Sequence, residues 1–329
     1  MVFGVWRNGR PLVTGALGSA LPGVRATRDM HFRIGNVTES LTTTLLLQLV
    51  DQRKVRLNDP VSKWYPQFPR ARQVTLRMLA SSTSGYADYV TNDSFERALE
   101  ANPFGHFSTT SLIRLGTGLP PVFEPGKSWA FSDTNFLLLG AILQKVTRRP
   151  LATALRQRIL GPLGLRQTMM PSNANIPPPV MHAYTPERGT YEESTFWNPS
   201  WAALNGSMIS SLADMGRWAK VLGTGALLSR TSHRLQVGPG NVGLGPLRAT
   251  FYYGMGTIVS KGWILCNPQL VGYNGTIGYF PSRKLTVVVF STLGRRSELP
   301  VQYSSEAVLR ITRMLTPGSV PLLQPRPRG

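Results

Sequence analysis

Two polar residues at the start of a segment with helical spacing are the first candidates for chemistry in this 329-residue sequence. Asn36 and Glu39 lie three positions apart in the stretch FRIGNVTESL, and residues at this spacing share one face of a helix. An asparagine amide nitrogen is delocalised into its carbonyl group and is a poor nucleophile, whereas a glutamate carboxyl group can act as a general acid or base. The same pair has the pattern of a capping box, in which each side chain binds a free backbone N–H group at the helix start.

The composition argues against metal and cofactor sites. The single cysteine, Cys266, excludes an internal disulfide framework and a cysteine-based zinc site. The stretch GPGNVG at 238–243 fits a dinucleotide-binding pattern but lacks the strand and helix that should flank it. We therefore predict no metal and no cofactor. The histidines are scattered without the spacing of metal ligands: His31, His106, His182 and His233.

The net charge of +20 comes mostly from arginines that are spread along the whole chain. Such a surface favours weak, salt-dependent binding of polyanions, although no nucleic-acid-binding motif accompanies it. A basic surface with no specific partner is the simpler interpretation, and we keep both open. The longest apolar run is too short to span a bilayer, so no transmembrane segment is predicted, and no signal peptide is recognised.

The elements that must position Asn36 and Glu39 follow from the periodicity of apolar residues. The N-terminal alternation with an Asn8-Gly9 dipeptide predicts a hairpin. Helical spacing follows Asn36, and strand-like segments follow Phe251. Further helices are predicted at TNFLLLGAILQKVT, LATALRQRIL, SLADMGRWAKVLG and SSEAVLRITRML.

Strands at both ends of the chain with helices between them predict an α+β fold. An antiparallel sheet from the N- and C-terminal strands is flanked by helices, and a mainly helical subdomain at about residues 59–205 is inserted. We predict a single domain over residues 1–315. The proline-rich tail at 316–329 is predicted to be disordered.

Several blocks of the sequence occur in the order typical of one superfamily. They are FRIGNVTESLTTTLLLQLVDQRKVRLNDPVSKWYPQFP, VTLRMLASSTSGY, FEPGKSWAFSDTNFLLLGAILQKVTRRPL, NGSMISSLADMGRWAKVL and GYNGTIGYFPSRKLTVVVFST. With these blocks the chain resembles the serine β-lactamase and D,D-peptidase superfamily, in particular its class C β-lactamase, D-alanyl carboxypeptidase and esterase branch. The resemblance implies a β-lactamase/transpeptidase-like fold, a serine-hydrolase ancestry and a location at the cell envelope.

The resemblance also implies which positions should carry the chemistry, and most of them are altered. The family's nucleophilic serine and its lysine base correspond to Asn36 and Glu39. The tyrosine and asparagine of its Y-x-N element correspond to Phe131 and Asp133. Its third element, H-x-G or K-T-G, is assigned to residues 273–275, where the glycine remains and tyrosine replaces the first residue. The expected pocket is therefore lined by Asn36, Glu39, Phe131, Asp133, Tyr273 and Gly275.

These departures leave three functional hypotheses. In the first, the chain has lost hydrolase activity and acts as a binding or scaffolding protein whose peptide or small-molecule ligand is neutral or cationic, because Glu39 and Asp133 would repel a carboxylate. In the second, the chain is an active serine hydrolase that uses displaced residues, with Ser40 or Ser132 as nucleophile and Glu39 with Asp133 as an acid–base pair. In the third, polyanion binding is the principal function.

Overall fold

An antiparallel sheet built from both ends of the chain forms the centre of the molecule. The computed structural model describes residues 1–295, 297 and 301–324. The strand order in the sheet is β2-β1-β14-β13-β11-β10-β9, and β12 pairs with β13. The strands are β1 (Val2–Arg7), β2 (Arg10–Ala16), β9 (Phe251–Tyr253), β10 (Ile258–Ser260), β11 (Trp263–Cys266), β12 (Gln269–Leu270), β13 (Tyr273–Phe280) and β14 (Leu285–Thr292).

The two chain ends meet because β1 pairs with β14, so the predicted sheet from N- and C-terminal strands is confirmed. The predicted hairpin joins β1 to β2. Asn8 and Gly9 both have positive φ, 53° and 81°, as a two-residue turn between right-twisted strands requires. Shorter pairs of strands lie outside the sheet: β3 (Ser19–Leu21) with β4 (Val24–Arg25), β5 (His31–Arg33) with β8 (Ile209–Ser211), and β6 (Tyr184–Thr185) with β7 (Glu192–Glu193).

Helices cover both faces of the sheet, which gives the α+β architecture that the sequence predicts. Alternate residues of a strand point to opposite faces. On β13, Asn274 accepts a hydrogen bond from the backbone N–H of Ser304 in the last helix, whereas Tyr279 packs against Gly223 of another helix. The helices are α1 (Val37–Asp51), α2 (Leu76–Ala80), α3 (Asp93–Ala101), α4 (Thr109–Gly118), α5 (Asp133–Thr147), α6 (Leu151–Leu155), α7 (Ala203–Gly206), α8 (Leu212–Thr224), α9 (Arg230–Val237) and α10 (Tyr303–Leu315).

Helices α1 and α5 form the buried centre of the helical region and position the candidate site at their N-terminal ends. Leucines at helical spacing on α1 are fully buried, and the middle of α5 is buried on all sides. The helices predicted at LATALRQRIL and SLADMGRWAKVLG are present, the first as α6 followed by a π-helical turn at Arg156–Leu160. The boundaries of the inserted subdomain at about 59–205 remain a prediction.

The segment at residues 316–324 differs from the predicted disorder. A short helical turn at Pro317–Ser319 packs on the sheet, and the indole nitrogen of Trp263 donates to the Ser319 carbonyl oxygen at 2.9 Å. Leu323 is only 8% exposed, and its carbonyl oxygen accepts from Asn267 Nδ2 at 2.9 Å. The burial of Leu323 and these two hydrogen bonds therefore hold the segment against the sheet despite its prolines. The rest of the predicted tail lies outside the described residues.

None of the helices in the part of the chain that the structure describes is long and apolar enough to cross a membrane.

Candidate functional site

The chain enters α1 through Gly35, and Asn36 is the last residue before the helix. Gly35 has a φ of +48°, and a Cβ atom there would lie 3.0 Å from Cβ of Pro268, so glycine suits this close turn. Asn36 makes no side-chain cap hydrogen bond, because its backbone (φ −73°, ψ 9°) is not in the extended conformation of an N-cap. The N–H groups of Val37, Thr38 and Glu39 instead donate to backbone carbonyl groups three residues earlier. The capping-box interpretation is therefore wrong, and Asn36 Oδ1 is buried without a partner.

Glu39 lies in the interior, with 1% of its surface exposed. The Tyr253 hydroxyl group donates to Oε2 of this residue at 3.1 Å, while Oε1 is buried without a hydrogen-bond partner in the protein. Burial raises the pKa of Glu39 well above its usual value, and the nearby Asp133 carboxyl group raises it further. The carboxyl group is consequently held in its neutral form where a carboxylate would normally be ionised.

Phe131 and Asp133 lie at the N-terminal end of α5, facing the same cavity as Asn36. Asn205 of α7 donates from Nδ2 to Asp133 Oδ1 at 2.6 Å. Burial raises the pKa of Asp133 well above its usual value, and the Asp88 carboxyl group adds to this effect. Burial likewise raises the pKa of Asp88 to about 6, although the backbone N–H groups of Val90 and Asp133 oppose the shift. Three carboxyl groups thus lie close together, and the described residues that line the cavity include no lysine, arginine or histidine.

The cavity in front of these residues has a volume of about 350 Å³. Five aromatic side chains form much of its wall, and the polar lining consists of Asn36, Asp133, Asn205, Asn267, Gln269 and Gln324. A smaller cavity of about 20 Å³ adjoins it and contains Glu39. Of the described residues that line the larger cavity, none is serine, threonine, cysteine, lysine, arginine or histidine. Its aromatic residues are Trp129, Phe131, Trp201, Phe251 and Tyr253.

Tyr273 and Gly275, which the sequence assigned to the pocket, do not line it. The Tyr273 hydroxyl group is buried and donates to the Met181 carbonyl oxygen at 2.8 Å. A Cβ atom at Gly275 would lie 2.3 Å from Cε1 of Phe290, so this glycine makes room for a side chain of the neighbouring strand. The assignment of both residues to the pocket is therefore wrong. Both belong to β13, a strand whose two edges are paired with β11 and β14.

Cys266 and Asn267, at the end of β11, stand where the sequence had placed residues 273–275. Asn267 lines both cavities, and Cys266 lines the smaller one together with Glu39. Burial raises the pKa of the Cys266 thiol to about 12, so this group is protonated and a weak nucleophile. Residues 266–268 read Cys-Asn-Pro and lack the glycine that directed the sequence assignment to Tyr273-Asn274-Gly275 on β13.

The two displaced serines point away from the cavity. Ser40 Oγ is buried, donates to the Val37 carbonyl oxygen at 2.6 Å and accepts from Trp218 Nε1 at 2.9 Å. Ser132 Oγ is also buried and donates to the Ala87 carbonyl oxygen at 3.2 Å. Both hydroxyl groups therefore have structural hydrogen-bond partners.

Sequence reasoning missed several residues that the fold brings to the cavity. Asn205 is the first residue of the block NGSMISSLADMGRWAKVL, which the superfamily resemblance had singled out, and this position was the available signal. Trp129, Trp201 and Tyr253 come from three distant segments. Nothing in the local pattern indicates that these side chains meet.

Comparison with known proteins gives consistent relationships. The Beta-lactamase family model matches residues 1–303. The putative penicillin-binding protein PbpX of Bacillus subtilis is 25% identical over 270 residues, which are 82% of this chain and 63% of that protein. The D-alanyl-D-alanine-carboxypeptidase/endopeptidase AmpH of Escherichia coli K12 is 29% identical over 226 residues, 64% of this chain and 54% of its own length.

Among solved structures, a D-stereospecific amidohydrolase from Streptomyces superposes with a TM-score of 0.79 and 27% identity, covering 88% of each chain. This similarity agrees with the mixed α+β fold and its large antiparallel sheet. The chain spans between about half and two thirds of the length of PbpX and AmpH, the curated relatives described above.

Proposed function

Because the chain belongs to the Beta-lactamase family, we propose that it is a non-catalytic member that binds a peptide or small-molecule ligand in the cavity between α1 and α5. The observation that carries this proposal is the lining of the cavity. The described residues there offer no serine, threonine or cysteine as nucleophile and no lysine or histidine as base. A fold can be retained after its chemistry is lost, so function has to be argued from these side chains.

The remaining hydroxyl group of the lining does not restore the chemistry. Tyr253 donates to Glu39, and burial together with that carboxyl group raises the pKa of Tyr253 well above its usual value. Its phenolate is thus strongly disfavoured. Glu39 itself is held neutral in a buried position and can neither supply the positive charge of a lysine nor readily accept a proton.

The alternative of an active hydrolase with displaced residues requires Ser40 or Ser132 to reach a substrate. Each of these residues is at most 1% exposed, and its hydroxyl group already donates to a backbone carbonyl oxygen. Reaching the cavity would require breaking these hydrogen bonds and repacking the start of α1 or α5. These contacts favour the non-catalytic proposal.

The ligand of the proposed binding site is neutral or cationic. Asp133 is the titratable carboxyl group of the larger cavity, Glu39 is that of the smaller one, and the described lining offers no cation to a ligand carboxylate. A carboxylate would lose its hydration shell and gain no charged partner. The penicillin and D-Ala-D-Ala carboxylates are accordingly expected to bind poorly.

The test of lost activity is intact-mass spectrometry after exposure to a fluorophosphonate and, separately, to a reactive penicillin. We expect the mass of the folded protein to remain unchanged with both reagents. A stoichiometric adduct that maps to one serine would overturn the proposal and identify the nucleophile. Circular dichroism on the same sample verifies that the protein tested is folded.

A further inference from the structure

The larger cavity contains buried hydrogen-bond acceptors that have no partner in the protein. Asn205 is 3% exposed, and its amide nitrogen is used by Asp133, which directs Oδ1 away from that contact and leaves it unpaired. Asn36 Oδ1 is also buried and unpaired. A buried polar group without a hydrogen-bond partner destabilises the folded protein. A ligand that supplies several N–H donors would recover much of this free energy.

The charge of the cavity also favours a ligand that donates hydrogen bonds and carries a positive charge. Asp133 reaches the larger cavity and Glu39 the smaller one, and no lysine, arginine or histidine is found among the described residues that line them. A bound cation would interact favourably with the carboxylate form of Asp133 in a region of low dielectric constant. The buried and unpaired Asn205 Oδ1 adds an uncharged acceptor to these acids.

The aromatic wall supplies the third part of the argument. The rings of Trp129 and Tyr253 are 5.6 Å apart between centroids, and those of Phe131 and Tyr253 are 6.5 Å apart. Aromatic faces at such positions attract cations and also bury an attached apolar group. A volume of about 350 Å³ is in the range of small-molecule sites. The unpaired indole N–H of Trp129 can additionally donate to a ligand oxygen atom.

We propose that the cavity binds a primary ammonium compound that carries an apolar substituent. The ammonium group donates hydrogen bonds to Asp133 and to Asn205 Oδ1 and Asn36 Oδ1, while the substituent lies against Trp129 and Tyr253. A primary ammonium group is favoured over a quaternary one because three N–H groups match the three acceptors. This inference deepens the proposed non-catalytic binding function and rests on it.

The test is isothermal titration calorimetry of the full chain at about pH 8, with four probes that share one ring. Benzylamine is compared with benzyl alcohol, benzoate and benzyltrimethylammonium. We expect benzylamine to bind about tenfold or more tightly than the alcohol and the quaternary ion, and benzoate to bind least. Equal affinity for benzylamine and benzyl alcohol would overturn the proposal. Tighter binding of the quaternary ion would overturn the hydrogen-bonding part and leave a cation–aromatic site only.

Two variants assign the affinity to the cavity. Asp133→Asn is expected to lose about tenfold in benzylamine affinity, whereas Asp29→Asn, a change of the same kind at a side chain that is 79% exposed, is expected to lose none. Asn36→Ala, at the partly exposed start of α1, is expected to weaken benzylamine binding and to leave benzyl alcohol unaffected. Equal losses in Asp133→Asn and Asp29→Asn would contradict the assignment.

The two proposals can fail separately. Failure of benzylamine to bind, with no covalent adduct in the mass spectrum, would remove the ammonium site and leave the non-catalytic proposal standing. A serine adduct would remove the non-catalytic proposal whatever the amine result.

Discussion

The N-terminal ends of α1 and α5 and the strand β13 were assigned to one pocket from the sequence, but they differ in how their polar groups are used. At the helix ends, Asn36 and Glu39 hold unpaired oxygen atoms beside a cavity. On β13, the Tyr273 hydroxyl group has a partner, and Asn274 Oδ1 accepts from both Ser291 and Ser304. Buried polar groups without a partner indicate a place where a ligand can form hydrogen bonds. Buried polar groups that already have partners stabilise the fold.

The largest effect is expected from an attempt to restore serine-hydrolase chemistry at the N-terminal ends of α1 and α5. Asn36→Ser, Glu39→Lys, Phe131→Tyr and Asp133→Asn made together are expected to give detectable acylation by a reactive penicillin, because the combined changes supply a nucleophile and a base. Asn36→Ser alone is expected to give none, since nucleophile and base act as a unit whose loss costs several orders of magnitude in rate. Acylation of the single variant would show that Glu39 can act as the base. The readout is intact-mass spectrometry.

A substitution in β13 is expected to lower the stability of the protein without changing ligand binding in the cavity. Gly275→Ala places a methyl group 2.3 Å from a ring carbon of Phe290 and is expected to lower the free energy of unfolding by about 1–3 kcal/mol. Gly240→Ala is the matched control, because no atom beyond the adjacent residues in the chain lies within 4 Å of its added Cβ. Urea unfolding measures both. A loss of benzylamine affinity in folded Gly275→Ala would place β13 at the site after all.

The pH dependence of stability distinguishes the two regions more finely. Burial, and then the Asp88 carboxyl group, raises the pKa of Asp133, so the folded state holds its proton more tightly than the unfolded state. The resulting stability is fully present below the unfolded pKa and is lost as the pH rises through the folded pKa. Asp133→Asn is therefore expected to be more stable than the parent at about pH 7 by on the order of 1–3 kcal/mol, and to converge with it near about pH 4.

Urea unfolding across this pH range provides the check, with exposed Asp29→Asn as control. Convergence at high pH instead of low pH would mean that Asp133 is stabilised in its ionised form.

Ligand binding is expected to show the opposite dependence on pH. Asp133 faces Asp88, Glu39 and Asn205, with Tyr253 beside Glu39, and cation binding favours the carboxylate form of Asp133. Benzylamine affinity should thus fall about tenfold between about pH 8 and about pH 5, a range that includes the pKa of about 6 of Asp88, while the amine stays charged. Calorimetry at several pH values measures this change. A pH-independent affinity would contradict a role for these acids.

Local patterns predicted the elements of this protein well, because each depends on neighbours in the chain. The hairpin at Asn8-Gly9 follows from the positive φ values that a tight turn requires, and helix α1 from leucines at helical spacing. The capping box failed although its residues were correct. The first N–H groups of α1 are satisfied by backbone carbonyl oxygens, which no pattern of side chains reveals.

The family and the α+β fold were determined by the sequence alone, since ordered blocks carry the scaffold with them. The sequence also singled out Asn36, Glu39, Phe131 and Asp133 as pocket residues. Only the tertiary structure decided that the end of β11 lies at the cavity and that Tyr273 does not. It also brought Asn205 and the aromatic wall to the acids, and folded residues 316–324 onto the sheet. The physical reason is that the burial, the hydrogen-bond partners and the pKa of a side chain depend on residues that are distant in the sequence. The spacing of residues within one segment does not specify these tertiary contacts.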